Sequence, residues 1–301
     1  MTDSEQFIWR AMCRAHWFDE GCHQALVDGC VKAFIYLSSG QEAIAAAVAC
    51  AFRDRKVNLF CQHRNHSAYL SFGGDPMKLR DELQGLETGT TRGIGGDPCH
   101  AFDGEQAKMW GHSGLVADHV PIAVGMAFAT REWSVCFFGD SAVEEDIFWP
   151  AFGFAVTHKL PVVFLEEDNG LSVITETAKR RSWKSADVAE GFVRSWKTTD
   201  DLDVRELDDD DPEHIYLVLR HMISRRLPPF FLSVKTCRKY RHVGPGSDGP
   251  MKWDRMAMVR ERMGEAGVEI EQAARREMEE LWAIIGRRRW RLYSPPSYLF
   301  Q

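Results

Sequence analysis

The usual marks of a secreted, membrane-bound or nucleic-acid-binding protein are missing from this chain. No two of its eight cysteines form a Cys-x-x-Cys pair, which removes the dithiol and metal-knuckle chemistries that such pairs carry. Cys50, Cys61 and Cys136 lie in apolar surroundings, as the buried thiols of a reduced cytosolic protein do. No apolar run approaches the ~20 residues that span a bilayer. The N-terminus is polar and carries no secretory leader, so a cytoplasmic setting without a membrane partner is expected. Positive charge is in deficit: 37 Lys and Arg stand against 44 Asp and Glu, for a formal net charge of −7. That weighs against nonspecific nucleic-acid binding and leaves room for a locally built anion site. No internal repeat, low-complexity stretch or linker is visible. The remainder is ordinary, with 45% hydrophobic and 27% charged residues in 301, enough chain to bury a full core. One domain over 1–301, with helical additions at both ends, is expected.

The apolar pattern divides the chain. Residues 5–53 read as helical with a break at Ser38-Ser39-Gly40-Gln41-Glu42, where a Ser cap and a first-turn acid suit a helix start. Residues 57–61 read as a short strand, 76–87 as a helix with Pro76 in its first turn, and 121–130 as a helix of small residues. Two glycine-bearing loops lie at 89–96 and 111–117. Strand 134–138, helix 144–158 and strand 161–166 form a βαβ unit. Its crossover helix carries an apolar stripe of Ile147, Phe148, Ala151, Phe154 and Ala155. The acidic stretch 199–213 reads as a solvated loop capping a helix at 212–225. A strand at 229–236 and an amphipathic helix at 254–285 follow, and the basic run at 287–291 reads as solvated surface. Strands alternating with helices predict an α/β fold with a doubly wound, mostly parallel sheet.

Chemistry gathers where the apolar runs end. Gly139-Asp140-Ser141 closes one strand and Asp168-Asn169-Gly170 closes the next, with Asp140 and Asn169 29 residues apart in sequence. A strand, crossover helix and return strand need roughly 30 residues, so an acid and an amide come to the same carboxyl edge, where open α/β sheets bind ligands. A carboxylate oxygen from Asp140, an amide oxygen from Asn169 and a backbone carbonyl near Leu171 would hold Mg²⁺ against two phosphate oxygens and a water. On spacing alone, an acid and an amide that cap strand ends would look the same. His63, Arg64 and His66 follow one strand, and Arg238 and His242 another. The guanidinium fork suits phosphate. Gly114-Leu115-Val116 offers a glycine where backbone could approach a flat ligand, or a plain turn.

Taken together these residues resemble the thiamine diphosphate signature, and more narrowly the α subunits of two-component E1 enzymes acting on pyruvate, branched-chain 2-oxoacids or acetoin. The resemblance runs from about residue 7 to 295. It also includes Ser39-Gly40-Gln41-Glu42-Ala43, His63-Arg64-Asn65-His66, Gly111-His112-Ser113-Gly114, Val120-Pro121-Ile122-Ala123-Val124-Gly125, Lys159-Leu160-Pro161-Val162 and His242-Val243-Gly244-Pro245. It implies that Asp140, Asn169 and the Leu171 carbonyl hold Mg²⁺ in the Gly139-Asp140-Ser141 setting. It implies further that Arg64 and Arg238 bind the diphosphate, with His63 where Tyr is common. Gly114 and Val116 would meet the aminopyrimidine, with Val116 wedged between the two rings. His242 would sit near the reaction centre, and His66 at the substrate entrance. The acid beside the pyrimidine would come from a β subunit, so an α₂β₂ heterotetramer inactive as the lone chain is implied. The acyl unit of a 2-oxoacid would pass to a lipoyl-bearing or other carrier.

Three departures stand out. Ser141 replaces the second glycine of Gly-Asp-Gly, Pro150 falls inside the crossover helix, with Gly153 beyond it, and Asp97-Pro98-Cys99-His100 replaces Gly-Ser-Met-His beside the substrate. These keep two alternatives open: transfer of a two-carbon ketol unit from a ketose phosphate to a carrier protein, and a catalytically inactive α-like scaffold.

Overall fold

In the computed structural model, which describes residues 1–111, 114–195, 203–225 and 229–284, each apolar run read above becomes a strand of one sheet. The strands are β1 (Val57–Cys61), β2 (Phe102–Asp103), β3 (Ala107–Trp110), β4 (Trp133–Gly139), β5 (Val162–Asp168), a small hairpin of β6 (Leu171–Ser172) and β7 (Thr175–Glu176), β8 (Asp203–Leu207) and β9 (Phe230–Lys235). The main sheet runs in the order β2-β3-β1-β4-β5-β9-β8. Its ladders are parallel except for the short edge strand β2 on β3. The chain leaves β1 toward β3 and then returns to the other side of β1 as β4, so the order reverses between β1 and β4. That crevice is the switch point at which doubly wound sheets bind ligands.

Side-chain alternation builds a core on each face of the sheet. Val135, Phe137, Val163, Leu165, Phe230 and Leu232 face α1 (Asp3–Val27), α2 (Glu42–Phe52), α3 (His66–Ser71), α4 (Pro76–Leu83), α9 (Pro212–Arg225) and the end of α10 (Arg255–Ala283). Cys136, Phe138, Phe164 and Phe231 face α5 (His119–Thr130), α6 (Phe148–Thr157) and α8 (Ser185–Ser195). The four-residue α7 (Thr177–Arg180) follows the β6–β7 hairpin. Among the described residues no helix is long and apolar enough to cross a membrane. All eight cysteines are free, and six of them, including Cys50, Cys61 and Cys136, are buried.

Several local expectations change. The segment after Asp140 forms a 3₁₀ turn at Ala142–Glu144, and α6 starts only at Phe148. Pro150 therefore sits in the first turn of α6, where its missing N–H would have had no helical partner, and it causes no kink. The buried stripe is Phe148, Ala151, Phe152 and Ala155, while Ile147 and Phe154 are exposed. The acidic stretch 199–213 contains the edge strand β8. Within it Asp210 is fully buried, accepting from Thr236, Trp253 and Arg255. Asp211 does cap α9, accepting from Glu213 N. At α2 no serine caps the helix: Gln41 holds the cap position without a side-chain capping bond, and Glu42 reaches back to accept from Gly40 N at 2.8 Å. Helix α10 is interrupted at Gly264. His112, Ser113 and the basic run 287–291 lie outside the described residues.

Candidate cofactor site at the sheet switch point

Seven separate chain segments meet in the crevice between β1 and β4. A cavity of about 200 Å³ is lined by His63, Arg64, Gly114, Val116, Gly139, Asp140, Ser141, Asn169, Leu171, Arg238 and His242, together with Tyr36, Gln62, Pro98, Ser172 and Val173. All the residues expected from the sequence come together there except His66. The strand ends do this directly: parallel β1, β4, β5 and β9 carry residues 62–64, 139–141, 169–171 and 236–242 off the same edge.

One side of the cavity is anionic. Asp140 is 2% exposed, and its Oδ2 accepts from Thr177 Oγ1 at 2.7 Å and from Arg180. Both of these hydrogen bonds fall on Oδ2 rather than Oδ1. Asn169 is held by its own turn. Its Oδ1 accepts from Leu171 N at 3.1 Å and its Nδ2 donates to Gln41 Oε1 at 3.0 Å. Asp168 accepts from Gly170 N, and burial followed by the nearby Asp140 charge pushes its carboxyl up. Ser141 has φ −84°, an ordinary right-handed conformation, so the missing second glycine costs the backbone nothing.

The other side is cationic. Arg64 is 5% exposed, donates to the carbonyls of Leu37 and His242, and has no carboxylate ion-pair partner among the described residues. Burial, then the neighbouring Arg238, lowers its guanidinium to about 10. Arg238 is tethered to Asp248 and to Val173 O. Burial, then Arg64 and Arg238, pushes His242 down to about 4, so this imidazole is neutral at pH 7. Tyr36 packs edge-on against His63 and His242, with ring centroids 4.4 and 5.2 Å away. Beneath the floor, Gln62 donates to Glu167 at 3.0 Å. Burial pushes the Glu167 carboxyl up to about 7, against the pull of Gln62 and Arg64.

Two backbone positions shape the walls. Gly114 has φ 85°, and a Cβ there would stand 3.2 Å from Pro98 Cβ. Gly40 has φ 95°, and a Cβ would stand 2.3 Å from Cys237 O. Only glycine lets the 38–41 loop lie against the segment that delivers Arg238. Val173, also on the wall, has φ 52°, a strained conformation for a β-branched residue that aims its carbonyl at Arg238.

His66 is not at an entrance. It is fully buried, with Nδ1 2.6 Å from Asp19 Oδ1 and Nε2 2.5 Å from Asp97 Oδ1. Against burial, which works to discharge it, Asp97 and Asp19 hold the imidazolium up to about 10. Asp97 also accepts from Tyr36 N, and Asp19 from Ser38 N. The cluster thus fixes the 36–39 loop on the cavity rim and stays out of the cavity itself. Of the lining residues, Tyr36, Gln62, Ser172 and Val173 were not among the site residues expected from the sequence. Only Gln62 carried a signal, being a polar residue directly after an apolar strand.

A carboxylate bonded through Oδ2 and a buried guanidinium with no carboxylate partner among the described residues line one cavity at the sheet switch point, a set of groups that suits a cation and a phosphorylated ligand. The comparisons narrow this class. Residues 11–265 match the model of the dehydrogenase E1 component family. A pyruvate dehydrogenase E1 component subunit alpha from Rickettsia bellii is 31% identical over 260 residues, covering 83% of this chain and 76% of the relative. The Zymomonas mobilis subunit of the same name is 28% identical, covering 84% and 71%. The alpha subunit of a Bacillus subtilis acetoin:2,6-dichlorophenolindophenol oxidoreductase is 29% identical, covering 80% and 71%. The chain belongs to the dehydrogenase E1 component family, among its α subunits. That family depends on thiamine diphosphate.

Proposed function

We propose that this chain is the α subunit of a two-component thiamine diphosphate enzyme that decarboxylates a 2-oxoacid and passes the acyl unit to a lipoyl-bearing or other carrier. The observation that carries the reading is the convergence of eleven expected residues from five segments on one cavity. In this reading Asp140 Oδ1, Asn169 Oδ1 and the Leu171 carbonyl hold Mg²⁺, and Arg64 and Arg238 neutralise the diphosphate. The donor set fits: hard oxygens on one wall suit Mg²⁺, and a buried guanidinium with no carboxylate partner suits a polyanion. When bound, thiamine diphosphate supplies the carbanion chemistry that cleaves a C–C bond next to a carbonyl. His242, neutral at pH 7, is placed to donate or accept one hydrogen bond beside the diphosphate. Gly114 and Val116 form the open rim, and Val116 is 46% exposed. That exposure supports a second chain completing the site as a β subunit in an α₂β₂ assembly, with this chain as one diphosphate-binding domain.

A second reading, ketol transfer from a ketose phosphate, draws support from His66. The Asp97 substitution engages it in a buried ion pair, so the substrate side differs from the expected pattern. Release of CO₂ from pyruvate, measured against ketose phosphate cleavage with the β-type partner present, separates the two. Asp140→Ala tests the site common to both. Mg²⁺-dependent thiamine diphosphate binding should fall at least 100-fold while the circular dichroism spectrum stays unchanged. Undiminished affinity in that titration would remove Asp140 from the metal site.

A further inference from the structure

The geometry points to Arg180 as a positioning residue for Asp140. Together with Thr177 it holds one carboxylate oxygen from outside the cavity and leaves the other to a divalent cation inside. This rests on the reading of the cavity as a Mg²⁺–diphosphate site. Asp140 lines the cavity, whereas Thr177 and Arg180 do not. Both donors take Oδ2, Thr177 Oγ1 at 2.7 Å and Arg180 through Nη2. The Arg180 side chain is only 12% exposed. A carboxylate with both oxygens free turns about its terminal torsion, and saturating one oxygen fixes the direction of the other.

The same guanidinium reaches a second acid. Its Nη1 donates to Glu144, in the 3₁₀ turn that follows Asp140. Arg180 closes α7, and Thr177 N, at the start of that helix, donates to Gly170 O at 3.0 Å. Gly170 lies between the two other proposed metal ligands, Asn169 and Leu171. One arginine and one hydroxyl therefore join the segment after β4 to the turn after β5, and those segments carry all three ligands. Glu144 also settles the electrostatics. A lone cation behind Asp140 would repel Mg²⁺, but the Glu144 carboxylate offsets the guanidinium charge. The neighbouring Arg181, 3.8 Å from the same Glu144, is paired in turn with Glu166 at 3.2 Å, so each guanidinium behind the site has a carboxylate partner. Partners that hold a ligand in this way are worth roughly 10–100-fold in metal affinity.

The test uses the chain assembled with its β-type partner, saturating thiamine diphosphate, and Mn²⁺ in place of Mg²⁺, with free Mn²⁺ read by electron paramagnetic resonance. Arg180→Gln should raise the Mn²⁺ dissociation constant roughly 10–100-fold, with part of the loss recovered in Arg180→Lys. Thr177→Val removes a neutral donor and should raise the constant roughly fivefold, which keeps the idea testable if Arg180→Gln folds poorly. Wild-type protein with no cofactor-dependent Mn²⁺ binding would overturn the reading of the cavity itself. Wild-type binding retained at equal or higher affinity in both Arg180→Gln and Thr177→Val would overturn the positioning role alone.

Discussion

Replacing Arg64 with Met separates binding from stability. Burial and Arg238 hold this guanidinium at about 10, below its ordinary value of 12.5. Keeping it charged at neutral pH costs roughly 3 kcal/mol. The sign follows from the depressed value of a base: the penalty is present in full below pH 10 and disappears only as pH rises past 12.5. Arg64→Met removes that cost but strips the donors from the Leu37 and His242 carbonyls, at about 1 kcal/mol each. The two changes nearly cancel, so the ligand-free variant should melt within about 5 °C of wild type. Binding should not be spared. A charged hydrogen bond to an anion is worth about 1.5–3 kcal/mol, so pyrophosphate affinity measured calorimetrically should fall by at least about tenfold. A large loss of thermal stability with undiminished pyrophosphate binding would refute the reasoning, since Arg64 would then be a structural strut and the cavity would not be tuned for a polyanion.

Two further expectations follow from the loops that brace the site. Gly40→Ala places a Cβ 2.3 Å from Cys237 O at φ 95° and should cost about 3 kcal/mol or more, read as a lowered denaturation midpoint and weaker diphosphate binding through a displaced Arg238. His66→Leu leaves Asp19 and Asp97 buried without their shared cation, a loss of about 3–5 kcal/mol. Because the folded-state value of His66 is raised to about 10, its stabilisation is complete below about pH 6.5 and fades as pH climbs through 10. The wild-type and Leu variant stability curves, measured by chemical denaturation, should therefore converge at alkaline pH.

The strands were legible where burial on both faces left continuous apolar runs, as in Val57–Cys61, Trp133–Gly139 and Phe230–Lys235. Strand β8 was not, because an edge strand reading Asp-Val-Arg-Glu-Leu carries too few apolar residues to stand apart from its acidic flank. The cavity was legible for a related reason: polar residues placed directly after buried parallel strands share one edge whatever the rest of the chain does. His66 escaped because its surroundings come from Asp19, 47 residues earlier, and Asp97, 31 residues later. Arg180 escaped because nothing near it in sequence marks it as facing Asp140. The burial of Asp210 depends likewise on Trp253 and Arg255, so a run of four aspartates read as solvated concealed a buried acceptor.

The conformation of Ser141 has a bearing on how such proteins are recognised. With its torsions in the common right-handed basin, the place after the strand-end aspartate asks for a small side chain rather than for freedom from one. Drift from glycine to serine there is cheap, and a signature that insists on glycine would pass over chains that keep the strand-end aspartate and the neighbouring amide.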